Sequence, residues 1–272
     1  MKLDAFERRD AWLPVIGGLI ALAWLTLAVW EQSPYGRYLD HGEWLQFGLA
    51  AAICHALPAG SLVLPALLYV GGWVLMTVAM MLPTTLPLLA IFARMTSSKP
   101  DRGLLLALLI VGYLSIWTLF GLVAHAADMG LHAIVASNAV LSANGWMVGV
   151  AVLTIAGLFQ FSALKYRCLD KCRTPFSFVN EHWSGRAERR QSFLLGVHHG
   201  LFCVGCCWAI MLLMFVVGTG SVGWMLAIGA VMAIEKNAAW GSRLSLPLGV
   251  VLLLVSVAIL AVNVGPLLGV HA

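Results

Sequence analysis

Apolar segments of about twenty residues recur along the whole chain, and they limit the possible folds more than any other feature. One of them, near the beginning, reads "IGGLIALAWLTLAVW". About 20 such residues make an α-helix long enough to cross the roughly 30 Å hydrocarbon core of a bilayer. Only 10% of the 272 residues are charged, whereas soluble domains carry roughly 25%. The sequence therefore predicts an all-α, polytopic helix bundle in a membrane and excludes a soluble globular fold.

We predict about seven transmembrane helices within a single membrane domain that covers residues 1–272. The first segment is too long for the core of a signal peptide and lacks a small-residue cleavage site, so it is interpreted as a membrane helix. The segment 31–62 is compatible with an interfacial or re-entrant helix as well as with an open loop. The predicted spans are 11–30, 66–93, 103–125, 144–163, 193–217, 222–240 and 245–268.

The positive charges lie almost entirely on one side of this predicted topology. Fifteen of the sixteen Lys and Arg residues lie before the first span or in or near the connections between spans two and three, four and five, and six and seven. Lys and Arg are enriched in cytoplasmic loops. We therefore expect a multi-pass protein of the bacterial inner membrane with a cytoplasmic N-terminus. No basic patch indicates nucleic-acid binding, and the absence of a nucleotide-binding loop excludes a self-contained ATP-driven pump.

The fifth span contains "HHGLFCVGCCWA", in which soft ligands share one helix face. At 100° per residue, His199, Cys203, Cys206 and Cys207 fall within an arc of about 100°, whereas His198 points elsewhere. A single thiol in a membrane helix usually serves packing. Three thiols with an imidazole and no carboxylate instead favour Cu(I), or zinc, over manganese or magnesium.

Two methionines of the second span are predicted to lie at the depth of this face. Met80 and Met81, in "AMMLPTTLPLL", are about 20 Å from the cytoplasmic end of their helix, as is Cys203 on the fifth. Pro83 and Pro87 are expected to kink the second helix and to open space beside the fifth. The sequence therefore predicts a thiolate–thioether site between these helices, although simple core packing of both methionines is the alternative.

Two charged residues fall within the sixth predicted span. Glu235 and Lys236 lie about 12 Å from Arg243 if the helix continues to that residue. Ionisable groups at such depth are costly unless they are partnered. We expect Lys236 to offset thiolate charge and Glu235 to orient a ligand such as His199. The alternative is that both side chains reach the surface as a pair at the helix end.

A second cysteine pair precedes the fifth span, in "KYRCLDKCRTP". Cys168 and Cys172 are four residues apart, which places them on one face of a continuing helix. The surrounding Lys and Arg residues are expected to lower the thiol pKa and favour thiolate. The pair is therefore predicted to exchange Cu(I) at the mouth of the bundle. The alternative is a basic interfacial helix with packed cysteines.

These motifs together resemble a family of bacterial predicted metal-binding integral membrane proteins, formerly a domain of unknown function. The similarity extends over roughly 66–243 and rests also on "GYLSIWTLFGLVA" and "IEKNAAWG". It implies copper delivery, because a member of the family is associated with copper supply to a tyrosinase-type oxidase. His41, Cys54 and His55 lie outside the family motifs and are kept as relay candidates. The positions that match the motifs are Cys168, Cys172, His199, Cys203, Cys206, Cys207, Glu235 and Lys236.

The sequence thus predicts a non-enzymatic membrane protein that binds Cu(I) and passes it, by ligand exchange, to a copper-dependent client. The expected partners are the metal ion, this client and the lipid bilayer. A metal permease is the nearest alternative. A thiol–disulfide oxidoreductase using Cys203 and Cys206 is another, although their predicted depth in the membrane disfavours it. A bis-histidine haem protein is disfavoured, because the adjacent His198 and His199 cannot face one haem from the same helix.

Overall fold

The computed structural model describes residues 12–32, 63–217 and 221–264, and all regular elements in these ranges are helical. Two 3₁₀ turns, Pro83–Thr85 and Gly241–Leu244, interrupt the series of α-helices. The all-α prediction is confirmed for this part of the chain. The helices are α1 (Trp12–Glu31), α2 (Val63–Met80), α3 (Leu86–Met95), α4 (Arg102–Ser137), α5 (Ala139–Ala143), α6 (Trp146–Phe159), α7 (Ala163–Arg173), α8 (Pro175–His182), α9 (Glu188–Leu212), α10 (Met214–Val217), α11 (Val222–Asn237) and α12 (Ser245–Val264).

Four of the described helical segments are long and apolar enough to cross a membrane. They comprise α1, α4, α9 together with α10, and α12 with its preceding turn. The number rises to six if each of two bent pairs is one span: α2 with α3, bent by 44°, and α6 with α7, bent by 63°. Helix α11 has only 16 residues. Seven spans and a cytoplasmic N-terminus therefore remain predictions.

Two helices differ in length from the sequence-based ranges. Helix α4 continues past the predicted end at 125 to Ser137, because no proline interrupts it, and Asn138 then takes an extended backbone. The side chain of Asn138 caps the short helix that follows. Helix α11 ends at Asn237, since Ala238 is extended. The assumption of a continuous helix up to Arg243 is therefore wrong.

The predicted kink of the second span is present between α2 and α3. Pro83 cannot donate a backbone hydrogen bond, which frees carbonyl groups in the preceding turn. The hydroxyls of Thr84 and Thr85 donate to the carbonyl oxygens of Met81 and Leu82 at 2.7 and 2.8 Å. The backbone N–H groups of the same two threonines also donate to these oxygens. The polar groups of both residues are therefore paired where the chain bends by 44° inside the bundle.

Helix α9 is the central element of the described bundle. In its most apolar stretch 67% of the residues are buried, against 17–33% in the spans of α1, α4 and α12. Glycines permit the close approach of α4 to α9. A Cβ atom on Gly112 would collide with the carbonyl oxygen of Phe193, and one on Gly196 with that of Leu109. Backbone contact of this kind is typical of small residues between membrane helices.

Helix α7 crosses the face of α9 that carries the cysteine motif. Ser162 caps its start, because the hydroxyl accepts a hydrogen bond from the backbone N–H of Lys165 at 3.1 Å. The 63° bend after α6 then directs this polar helix against α9. Lys and Arg make up four of its eleven residues, so we treat α7 as lying outside the membrane spans.

Candidate metal centre

The sulfur of Cys203 lies at the centre of a buried polar cluster formed by α4, α9 and α11. The Lys236 ammonium donates to Cys203 Sγ at 2.9 Å, and the Tyr113 hydroxyl is 3.0 Å from the same atom. Lys236 also donates to Thr84 Oγ1 at 3.4 Å. Lys236 therefore contacts a thiol of the predicted face, and its expected role in offsetting thiolate charge stays a prediction. A buried ammonium requires a compensating group, and a Cys203 thiolate is the one in direct contact with it.

The other two cysteines of α9 are turned toward the helix backbone. The thiols of Cys206 and Cys207 donate to the carbonyl oxygen of Cys203 at 3.1 and 2.8 Å. Because both sulfurs reach one oxygen atom, they are no more than about 6 Å apart. Both residues are fully buried. Rotation about their Cα–Cβ bonds would release these weak hydrogen bonds and present two sulfurs to a shared ion.

Helix α7 brings the second cysteine motif against the first. Cys172 Sγ is 4.0 Å from Cys206 Sγ. Cys168 packs on Gly205, where an added Cβ would be 2.6 Å from its sulfur. Burial raises the pKa of the Cys168 thiol, which is opposite to the expected lowering by basic neighbours. The five described cysteines are all free thiols.

His199 is buried on the predicted face of α9, one turn before Cys203. Its ring centroid is 5.7 Å from that of Tyr113 and 5.5 Å from that of Phe178. Within the described chain its Nδ1 atom has no hydrogen-bond partner. An imidazole nitrogen that is desolvated and unpaired is a candidate metal ligand.

The two methionines lie where the second span is broken. The side chain of Met80 packs on Gly229 of α11, at 3.6 Å from the position of an added Cβ. Met81 is connected to Cys203 through Tyr113, whose hydroxyl reaches the Met81 carbonyl oxygen at 3.5 Å. This contact agrees with the predicted common level of Met81 and Cys203. The connection runs through the backbone of Met81, and the proposed thioether role of both residues stays a prediction.

Glu235 does not contact the histidine that it was expected to orient. Its Oε1 atom accepts hydrogen bonds from Lys165 Nζ and from Ser245 Oγ, both at 2.7 Å. Lys165 also donates to the side-chain oxygen of Gln160. Glu235 is 2% exposed and Lys236 6%, so the alternative in which both reach the surface is wrong. The carboxylate instead forms a buried ion pair that joins α7, α11 and α12.

A second basic residue of α7 completes this attachment. The Arg173 guanidinium donates to the backbone carbonyl oxygens of Glu235 and, at 2.8 Å, of Ala239. These groups lie at the C-terminal end of α11, where carbonyls lack helical partners and attract cations. Lys165 and Arg173 therefore hold the helix of Cys168 and Cys172 against α11.

Sequence reasoning did not identify Tyr113, Lys165 or Arg173 as parts of the centre. The sequence indicates Lys165 and Arg173 only as topology signals and as basic neighbours of the cysteine pair, because their partners are distant in the chain. Tyr113 carries a polar group inside an apolar span, and that feature was the available signal. The relay candidates His41, Cys54 and His55 lie outside the described residues.

The described residues do not hold a preassembled set of three or more His, Cys, Asp or Glu ligands. Cys172 and Cys206 are two candidate ligands whose sulfurs are 4.0 Å apart. A metal ion would therefore be enclosed by side-chain rotation around this pair. Cys207, Cys203 and His199 lie on the same face of α9 within two helical turns.

A family model described as PpoB2, copper chaperone, matches residues 70–259. The chain belongs to this copper chaperone family. The match confirms the family resemblance drawn from the motifs, and it includes every cysteine, methionine and charged residue of the centre. No curated protein and no solved structure matches the chain.

Proposed function

We propose that this copper chaperone is a multi-pass protein of the bacterial inner membrane that binds Cu(I) and delivers it to a copper-dependent client. Copper is its cargo, and the protein has no catalytic step of its own. The observation that supports this best is the 4.0 Å separation of Cys172 and Cys206. It joins two cysteine motifs that are 34 residues apart in sequence. Soft thiolate ligands favour Cu(I), with zinc as the alternative ion.

The separation of the two sulfurs suits a shared metal ion. A metal–thiolate bond is about 2.3 Å long, as in zinc sites. Two sulfurs 4.0 Å apart would then subtend an angle of about 120° at the ion. This angle suits a three-coordinate ion and leaves one position for another ligand. Cys207 is a candidate for it, since its sulfur lies within about 6 Å of Cys206 Sγ.

The remaining predicted ligands extend the site in two directions. His199 and Cys203 continue along α9, and Met81 lies on the far side of Tyr113. Cys168 lies on α7 and packs on Gly205, the residue before Cys206. Stepwise exchange among these ligands would move the ion without releasing it into lipid. Lys236 would compensate the negative charge of Cys203 when no ion is bound nearby.

Copper stoichiometry of the full-length protein tests this proposal. The protein is purified in detergent under reducing conditions and loaded with Cu(I), and bound metal is measured by elemental analysis. We expect Cys172→Ser/Cys206→Ser to lose at least one copper per chain that the wild type retains. His132→Gln is the control, because it removes a potential ligand whose side chain is 44% exposed and lies outside both motifs. Equal copper in the double variant and the wild type would contradict the proposal.

The same sulfur contact favours a second candidate function, thiol–disulfide exchange. The structure pairs Cys206 with Cys172, and not with Cys203 as the alternative from the sequence assumed. A disulfide requires the sulfurs to approach to about 2.05 Å. Thiol counting on protein isolated without reductant distinguishes the two functions. A Cys172–Cys206 disulfide that is reversibly reduced by a dithiol, together with no copper binding, would favour the redox function.

A further inference from the structure

Two histidines that the centre does not include face each other between α8 and α9. His182 is the last residue of α8, and His198 lies in the first half of α9. Their ring centroids are 4.9 Å apart and the rings are inclined by 56°. Both side chains are half-buried. The contact brings together two metal-binding side chains that are 16 residues apart in sequence.

The hydrogen bond of His182 fixes which of its nitrogens is available. His182 Nδ1 is 2.9 Å from the carbonyl oxygen of Phe178. A carbonyl oxygen only accepts, so Nδ1 must carry the proton and donate it. In the neutral ring the lone pair is then on Nε2. A backbone carbonyl that holds one ring nitrogen in this way is the usual support of a metal-bound histidine.

His198 presents a nitrogen that is buried and unpaired. Its Nδ1 atom has no hydrogen-bond partner within the described residues. Burial of a polar atom without a hydrogen-bond partner is unfavourable. An ion held between the two rings would satisfy this atom.

We propose that His182 and His198 form a second copper-binding site, separate from the cysteine centre, through which the ion enters or leaves it. A metal–imidazole bond is about 2.0 Å long, so two rings bound to one ion at a near-tetrahedral angle have centroids about 5 Å apart. The observed separation of 4.9 Å matches this geometry. Copper as the ion rests on the proposed function. The geometry itself requires only an ion with affinity for imidazole.

The position of the pair along α9 suits an exchange site. His198 precedes Cys203 by five residues, or about 7.5 Å along the helix axis. His199 is next to it and faces Tyr113 and Phe178 on the side of the centre. The neighbouring carboxylate, Glu181, is exposed and bound to Lys171 at 2.7 Å. Two imidazoles without a carboxylate hold an ion less firmly than a thiolate centre, which permits release.

Copper binding to four purified full-length proteins tests the proposal. They are the wild type, His182→Gln/His198→Gln, Cys172→Ser/Cys206→Ser and the control His132→Gln, whose histidine side chain is 44% exposed. A colorimetric Cu(I) chelator serves as the competitor. We expect the double histidine variant to bind one copper at least tenfold more weakly, while His132→Gln matches the wild type. The double cysteine variant should retain the site that the histidine variant lacks.

A measurement on the wild type avoids dependence on the folding of the variants. Carbethoxylation of histidines, mapped by mass spectrometry, should slow at His182 and His198 on addition of one further equivalent of Cu(I). His132 should react at an unchanged rate. If added copper leaves the reaction rates of His182 and His198 unchanged, as at His132, the second site is overturned. Copper binding by His182→Gln/His198→Gln equal to that of His132→Gln would also overturn it. Failure of the cysteine proposal is distinguishable. In that case the double cysteine variant would bind copper as the wild type does, while the double histidine variant would still bind one copper more weakly.

Discussion

Replacement of Glu235 by glutamine tests how the helix that carries Cys172 is attached to the bundle. The change keeps the shape of the side chain but removes its charge. Lys165, which is fully buried, then has no carboxylate partner. Removal of one member of a buried ion pair costs about 3–5 kcal/mol. We expect the lower end of this range, because the glutamine oxygen still accepts from Lys165 and Ser245.

A loss of about 3 kcal/mol reduces the ratio of folded to unfolded protein roughly a hundredfold. Equilibrium unfolding in mixed detergent micelles, followed by the fluorescence of the eleven tryptophans, measures it. Bound copper should also decrease, since α7 loses one of its contacts with α11 and Cys172 moves away from Cys206. The double variant Lys165→Met/Glu235→Leu should be more stable than Glu235→Gln, because no buried charge is left unpaired.

The control for this experiment is an exposed ion pair of the same chemistry. Lys99 and Glu188 are 2.6 Å apart, with side chains 42% and 30% exposed. Lys99→Met should therefore cost at most about 1 kcal/mol and leave bound copper unchanged. The reasoning is refuted if Glu235→Gln is within about 1 kcal/mol of the wild type. It is also refuted if the double variant is as unstable as the sum of its single changes.

Two glycine substitutions test the packing around α9. Gly205→Ala places a Cβ 2.6 Å from Cys168 Sγ, so this sulfur must move away from its position beside α9. We expect less bound copper by elemental analysis, whereas Gly71→Ala, with open space around it, should retain wild-type copper. Gly196→Ala should fail to give a monodisperse protein in size-exclusion chromatography, because its Cβ would collide with the backbone of α4. Gly103→Ala, which meets nothing within 4 Å, should behave as the wild type. Normal folding of Gly196→Ala would contradict the backbone contact between α4 and α9.

Local features of the sequence predicted much of the helical structure. The break between α2 and α3 follows from Pro83, whose effect on the backbone does not depend on the rest of the fold. The common face of His199 and Cys203 follows from the helical repeat alone. Helix ends were less predictable. The end of α11 at Asn237 depends on Gly241, which packs against the carbonyl oxygens of Ile234 and Glu235.

The partners of the buried charges required the tertiary structure. The sequence predicts that Glu235 orients His199, but the structure does not contain this contact. Two residues at a similar depth in a bundle need not be neighbours. Depth does not specify the direction in which a side chain points around its helix. The bend after α6 turns Lys165 toward Glu235, and this arrangement leaves His199 without that carboxylate.

The sequence by itself determined that this chain forms apolar helices and that one of them carries soft ligands on a single face. Both properties are set by residue type and the helical repeat, which act over a few residues. Only the tertiary structure decided that Cys172 meets Cys206, that Lys236 lies against Cys203 and that His182 faces His198. These contacts depend on how separate helices cross, and glycine contacts and buried ion pairs far apart in sequence determine those crossings.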